Sequence, residues 1–441
     1  MEEMNSKKGN WWALLPIAVF LVVYIGVSVI FNDFYAMSVV VAFLIAILVA
    51  CLQNRSLKFD DKLSVMTQGF ADKNIATMIL IFLGAGIFAG ILGRDGAKAV
   101  ADLFLSFIPA RFSALVLFVV ACFVSTALGT SCGTITVMAP IAFELSVATG
   151  VSLPICVASV IGGAMFGDNL SFISDTTIAA TSTQGCKMKD KFKENFFIAL
   201  PAAIATIIVL VIFAITADTV NDYTPEKINL WLLIPYVLVL IGGIVGINVF
   251  IVLLGGIATA IIIQLSLGTN LLTVITSMGG GASGMFEVIM VTMLVSMLSA
   301  LMKEYGGFDA LLNGIKRVFK GNVGGQLGIS LLVSAMDVAT ANNTVAIVMA
   351  APIAKNISEE YGITNTKTAS LLDIFGSVVQ GIIPYGAQMI TAVSLTGISA
   401  GQIIPLVFYP YFLAISAVAF MVIPALLKKK SPKAVVSENN D

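Results

Sequence analysis

The chain has 441 residues, 58% hydrophobic and 11% charged, with a formal net charge of −1. A soluble domain carries about a quarter charged residues, so this balance, with a mean hydropathy of +1.00, excludes an ordinary water-soluble fold. Histidine is absent, which removes imidazole proton relays, histidine metal ligands and every Ser-His or Cys-His nucleophile.

Apolar runs of about 20 residues, the length of a bilayer-crossing helix, recur from end to end. The reading is therefore an all-α polytopic membrane protein that lies in a lipid bilayer, and no basic patch argues for nucleic acid. The first run follows Lys7 and Lys8 and continues into a second, as a first membrane helix does and a cleaved leader does not. Cys51, Cys122, Cys132, Cys156 and Cys186 have no paired spacing and read as small packing residues.

In chain order, helices are expected from Trp11 to Ile30 and from Tyr35 to Cys51, with a turn at Asn32-Asp33. A polar loop, 54–73, carries Arg55, Lys58, Lys62 and Lys73, and a third helix runs from Ile75 to Leu92. Gly96 to Phe107 is amphipathic and expected along the membrane interface. A span from Phe112 runs into Thr126-Ala-Leu-Gly-Thr-Ser-Cys-Gly-Thr134, too polar and glycine-rich for ordinary helix. Short helices follow from Pro140 to Ala148 and from Pro154 to Phe166.

The next stretch, Gly162 to Ala179, is the centre of the sequence. It places Asp168 and Asp175 in an apolar region, with Asn169, Ser171, Ser174, Thr176 and Thr177 around them. A charge at bilayer depth costs several kcal/mol unless it is paired or wet, so such residues mark function by default. Short polar side chains compete for the backbone and break helix. The expectation is two half-helices with oxygen ligands at the gap, holding Na+ at Asp168 and Asp175. The plainer reading of Asp175 is an N-cap of the following half-helix. Lys187, Lys189, Lys191 and Lys193 then close this half as a solvated run.

The second half repeats the first in order. Trp231-Leu-Leu-Ile-Pro235 echoes Trp12-Ala-Leu-Leu-Pro16, and Ala339-Thr-Ala-Asn-Asn-Thr344 echoes Gly129-Thr-Ser-Cys-Gly-Thr134 about 210 residues on. Gly381 to Gln388 stands where the aspartate break stood. The division is a first repeat over 1–195, with a hairpin at 128–150 and a broken helix at 153–182. The second repeat covers 196–441, with a hairpin at 339–358 and a broken helix at 366–396. Basic segments at the N-terminus, 54–73, 187–193, 303–320 and 428–430 place both termini in the cytoplasm, while 218–226 is acidic. The halves then start on opposite sides, which makes them inverted repeats of a secondary transporter.

The hairpin tips would present Thr130, Ser131 and Thr134 opposite Thr340, Asn342, Asn343 and Thr344. Gly129-x-x-x-Gly133 also has the spacing of plain helix packing. Asp337, Asp373 and Gln388 are secondary candidates, and for either aspartate structural pairing, for instance with Lys355, is the equal alternative. Glu287 and Glu144 read as interfacial and hairpin-end residues. An intramembrane hydrolase is disfavoured: Met165 stands where a Gly-x-Gly-Asp motif needs glycine, and nothing like histidine activates Ser131.

Gly167-Asp-Asn-Leu-Ser-Phe-Ile-Ser-Asp-Thr-Thr177, together with Gly129-Thr-Ser-Cys-Gly-Thr134, resembles the NhaC-type sodium/proton antiporter family over nearly the whole chain. The resemblance implies a transporter of the bacterial inner membrane, not an enzyme, with no cofactor beyond the transported Na+ and H+. It also implies kinship with carriers built of inverted repeats and re-entrant hairpins that move as elevators, commonly as homodimers. Two readings stand: exchange of Na+ (or Li+) for H+, and Na+- or H+-coupled transport of a small organic acid or amino acid.

Overall fold

The computed structural model describes residues 9–31, 37–71, 73–171, 174–216, 228–245 and 247–430. The turn at Asn32-Asp33 and the acidic segment 218–226 lie outside the described residues. All regular structure among the described residues is helical. In order these helices are α1 (Leu15–Ile30), α2 (Val39–Leu52), α3 (Phe59–Phe70), α4 (Lys73–Leu105), α5 (Ser113–Leu128), α6 (Ser131–Thr149), α7 (Leu153–Leu170), α8 (Asp175–Gln184), α9 (Met188–Thr216) and α10 (Ile234–Ile244). The second series is α11 (Val249–Ser266), α12 (Leu271–Gly284), α13 (Phe286–Glu304), α14 (Gly307–Val318), α15 (Gly321–Thr340), α16 (Asn343–Tyr361), α17 (Asn365–Gln380), α18 (Ala387–Thr396), α19 (Ala400–Ile403) and α20 (Phe408–Lys430).

Among the described residues, seven helices are long and apolar enough to cross a membrane, or eight if α18 and the bent segment after it form one span. Their outer faces agree with a lipid solvent. On α9, Ile204, Ile208 and Ile212 are about half exposed at i, i+4 spacing, while Ala202, Thr206 and Leu210 are buried. An exposed apolar stripe of that kind is stable only against hydrocarbon.

Local capping explains where the chain leaves helix. Gly129 ends α5 in the left-handed conformation, and Thr130 opens α6 by accepting a hydrogen bond from Gly133 N. The irregular segment is therefore two residues long. Contrary to expectation, helix resumes at Ser131 and runs straight through Pro140. Its hydroxyls do not break it because they turn back onto the preceding turn: Thr134 donates to the Thr130 carbonyl and Thr136 to that of Cys132. Ala341 and Asn342 occupy the same roles between α15 and α16.

Other elements recur at the same constant offset. Pro140 and Pro352 sit inside α6 and α16, and left-handed Gly150 and Gly362 end them. Ten-residue α8 and α18 both end on left-handed glycines, Gly185 and Gly397. Packing is exchanged between the two series: α8 lies on α16, and α18 lies on α6. One difference is informative. Gly129 suits its left-handed φ of 67°, whereas Ala341 adopts φ 46° with a Cβ to accommodate. Ala341→Gly should therefore raise stability by about 0.5–1 kcal/mol, read as a higher melting temperature in detergent.

Two further expectations are revised. The loop at 54–73 contains α3, an amphipathic helix that packs on α13 and buries Met66. Gly96 to Leu105 follows a break at Gly93, where the backbone of α4 leaves helical geometry, and buries Ala97, Ala99, Val100 and Ala101 against the protein. Its arginine finds a partner there: Arg94 Nε donates to Glu144 Oε1 at 2.8 Å, tying α4 to α6. Finally, Gly129 and Gly133 are not a helix-packing pair. That role belongs to Gly163 and Gly167 of α7, whose added Cβ atoms would strike the backbone of α5.

Candidate functional site

Asp168 and Asn169 lie in the last turn of α7, not in the gap as expected, because the helix holds its hydrogen bonds until Leu170. One turn carries them in opposite directions. Asp168, 3% exposed, faces α6 and the start of α8. Its Oδ2 accepts from Ser131 Oγ at 3.0 Å, and its Oδ1 accepts from Ser174 Oγ at 2.6 Å. Ser174 Oγ lies 2.8 Å from Thr176 Oγ1. On the other side, Gln388 Nε2 of α18 donates to Ser131 Oγ at 3.0 Å, and Gln380 Nε2 donates to Gln388 Oε1 at 2.7 Å. Gln380 also reaches the Ala341 carbonyl. A single polar chain therefore links the α5–α6 and α15–α16 turns, the α7–α8 and α17–α18 breaks and one carboxylate.

That chain borders a cavity of about 60 Å³. Asp168, Asp175, Thr130, Ser131, Ser174 and Thr176 line it from the first series. Asn342, Asn343, Thr344, Gln380 and Gln388 line it from the second. Asp175 sits on the rim, exposed, as the first residue of α8. Ser174 occupies the N-cap position, so the capping reading of Asp175 does not hold. Asn342 does cap: its Oδ1 accepts from Val345 N at 3.1 Å, opening α16 while the side chain faces the cavity. A second, larger hollow of about 420 Å³, lined by Gln68, Ser296, Ser299 and Lys303 among others, also ends at Asn342.

No Lys or Arg among the described residues pairs with Asp168. Two hydroxyl donors orient it, but nothing neutralises it. A buried carboxylate in that condition must take up a proton or a cation, since leaving it bare costs several kcal/mol. Carboxylate, hydroxyl and amide oxygens around a small polar hollow are the donor set that a hard cation takes.

Several candidates lie elsewhere. Asn169 turns away from the cavity, its Oδ1 accepting from Ser377 Oγ at 2.8 Å. Thr177 is on the same rear side, accepting from Lys191 Nζ at 2.7 Å. Thr134 is spent on the α6 backbone, and Thr340 donates to the Asn342 carbonyl and lines the larger hollow. Ser171 is buried directly after α7, its amide bonded to the Asp168 carbonyl. Asp337 is fully buried with neither carboxylate oxygen hydrogen-bonded among the described residues, and it does not border the small cavity.

Asp373 pairs with Lys191 at 2.5 Å, both buried, and not with Lys355, which is exposed. Sequence reasoning missed Gln380, which lines the small cavity, and Lys191, Asn195 and Ser377, which form the polar cluster behind it. A signal existed for two of them. Lys191 and Asn195 are four apart at the start of an apolar helix and so share one face, whereas Lys187, Lys189 and Lys193 point outward.

A sequence model described as the Na+/H+ antiporter family matches residues 5–215 and 223–428. The chain belongs to the Na+/H+ antiporter family. Among individual relatives, it is 25% identical over 242 residues to the malate-2H+/Na+-lactate antiporter of Bacillus subtilis, a match covering 52% of each protein. It is 23% identical over 371 residues to the Na+/H+ antiporter NhaC of the same organism, covering 76% of this chain and 80% of that one. With NhaC of Alkalihalophilus pseudofirmus the identity is 22% over 349 residues, covering 72% and 75%. A solved transporter structure, YdaH of Alcanivorax borkumensis, aligns over 84% of this chain and 90% of that one at 13% identity with a TM-score of 0.42. Members of the Na+/H+ antiporter family are multi-pass membrane proteins, as the apolar helices here require.

Proposed function

We propose that this antiporter-family chain exchanges Na+ (or Li+) for H+ across the bacterial inner membrane, with Asp168 as the exchange carboxylate. One observation carries the reading: Asp168 is buried, held by two hydroxyls, unpaired with any cationic side chain among the described residues, and open to a small polar cavity. The carboxylate takes a proton or a metal ion but not both, because either one cancels the charge that attracts the other. Competition for a single site is enough to couple the two flows, provided the site faces one side at a time.

Asp175 on the rim raises the local cation concentration without being the obligatory ligand. Asp175→Asn should therefore raise the apparent Km for Na+ by less than about tenfold and leave the maximal rate near that of the parent, because a partly exposed charge is worth about 1 kcal/mol. A loss as severe as that at Asp168 would make Asp175 a ligand of equal standing. The hollow that ends at Asn342 serves as the route to one membrane face. The two series act as inverted repeats whose hairpins and broken helices shift together against the outer helices, with both termini cytoplasmic.

The relative that carries malate and lactate keeps organic-acid transport as the competing reading. The cavity that Asp168 borders, at about 60 Å³, is below the ~300 Å³ that organic ligands occupy, whereas the hollow of about 420 Å³ beyond Asn342 is not, so the choice rests on transport. The deciding experiment is transport by purified protein in liposomes containing a pH-sensitive dye. Added Na+ should dissipate an imposed pH gradient without any organic solute. If movement of Na+ or H+ requires malate, lactate or an amino acid, the exchange reading is wrong.

A further inference from the structure

Directly behind Asp168, on the face of α7 turned away from the cavity, a second cluster of cation-binding oxygens is already filled. Lys191 Nζ, 1% exposed, lies 2.5 Å from Asp373 Oδ2, 2.7 Å from Thr177 Oγ1 and 3.1 Å from the Asn169 carbonyl. A carboxylate, a hydroxyl and a main-chain carbonyl at a helix break are the donors that a monovalent metal ion takes in a carrier. The three N–H bonds of the ammonium match these three acceptors one to one. The carbonyl end of α7 adds partial negative charge at the same point.

Asn195 completes the cage, its Nδ2 donating to the Asn169 carbonyl at 3.1 Å and to Asp373 Oδ2 at 2.8 Å. Two more buried oxygens, Asp373 Oδ1 and Asn195 Oδ1, have no hydrogen-bond partner among the described residues. The ligand set is thus richer than an ammonium uses. At the constant offset that relates the two series of helices, the residues corresponding to Asn169, Thr177, Lys191 and Asn195 are Gly381, Met389, Ile403 and Val407. These are all buried and non-polar, so the cluster is built once.

We propose that Lys191 is a tethered cation occupying a second cation site at the α7–α8 break, and that a chain without its ammonium binds a free monovalent metal ion there. The consequence rests on the exchange reading of Asp168: one break carries two cation positions, and only the front one is free to load and unload. Lys191 also fixes α7, α8 and α17 to one another through one atom, which holds Asp168 at a set distance from the hairpin tips.

The test uses purified full-length protein carrying Asp168→Asn, so that the front site cannot contribute. Thermal unfolding in detergent is followed with sodium, potassium or choline chloride at equal ionic strength, with and without Lys191→Ser. Lys191→Ser should lower the midpoint in choline, and saturating sodium or potassium should then raise it by about 3 °C or more. Adding Asp373→Asn should remove that response. A midpoint that stays the same in metal and choline salts after Lys191→Ser overturns the proposal. If the Lys191→Ser protein cannot be isolated in choline, its folded yield after solubilisation in sodium or potassium is compared instead, and no recovery overturns it equally. The proposal is read from the response gained on Lys191→Ser; a response in the Asp168→Asn parent counts against the Asp168 reading and leaves that difference intact.

Discussion

Asp168→Asn is expected to cut Na+-dependent proton movement in liposomes by at least about 100-fold, the equivalent of roughly 3 kcal/mol for a lost charged ligand. The same change should leave the melting temperature unchanged or higher. An amide keeps one oxygen to accept from Ser131 or Ser174, and the other hydroxyl turns to accept from the new NH2 group. What disappears is a buried charge with no partner, a group that costs stability in the absence of its ion. Exchange and stability therefore separate. If Asp168→Asn unfolds the protein while residual molecules still exchange, Asp168 is a structural residue and the proposed mechanism fails.

The second large effect lies in packing. At Gly167 an added Cβ would stand 2.5 Å from the Cys122 carbonyl, from Ser125 Cβ and from Thr126 N, and at Gly163 it would meet the Phe118 carbonyl. Three of these four obstacles are backbone, so neither helix can yield without moving as a whole. Gly167→Ala should cost about 3 kcal/mol, at the upper end for overpacking, and Gly167→Val should abolish a monodisperse fold. Gly280→Ala in α12, where nothing stands within 4 Å, should be neutral or slightly stabilising by thermal unfolding. The consequence reaches the site, because pushing α7 from α5 withdraws Asp168 from Ser131. A Gly167→Ala protein as stable as the parent would show that α5 and α7 do not pack backbone to backbone at this position.

Much of this was legible in the residues alone, and the reason is local. Membrane class follows from composition, and the breaks follow from runs of short polar side chains, because hydropathy and side-chain competition for the backbone act within a few residues. The cluster around Asp168 was legible for the same reason: a carboxylate in an apolar stretch is conspicuous by itself. Two local inferences still failed. Asp168 proved to be inside α7, since backbone bonding persists to the last donor it can satisfy, and α6 tolerated Pro140 and its threonines because those hydroxyls bond the preceding turn.

Tertiary structure alone decided which polar residues share a site. Asp168 and Asn169 are adjacent in sequence yet serve opposite faces of one helix, which no composition argument separates. Asp373 meets Lys191 and Gln388 meets Ser131 across intervals of well over a hundred residues, and such pairings depend on how whole helices dock. Local sequence sets where a helix begins and stops; burial against distant helices sets which of its charges is answered by a partner and which is left without one.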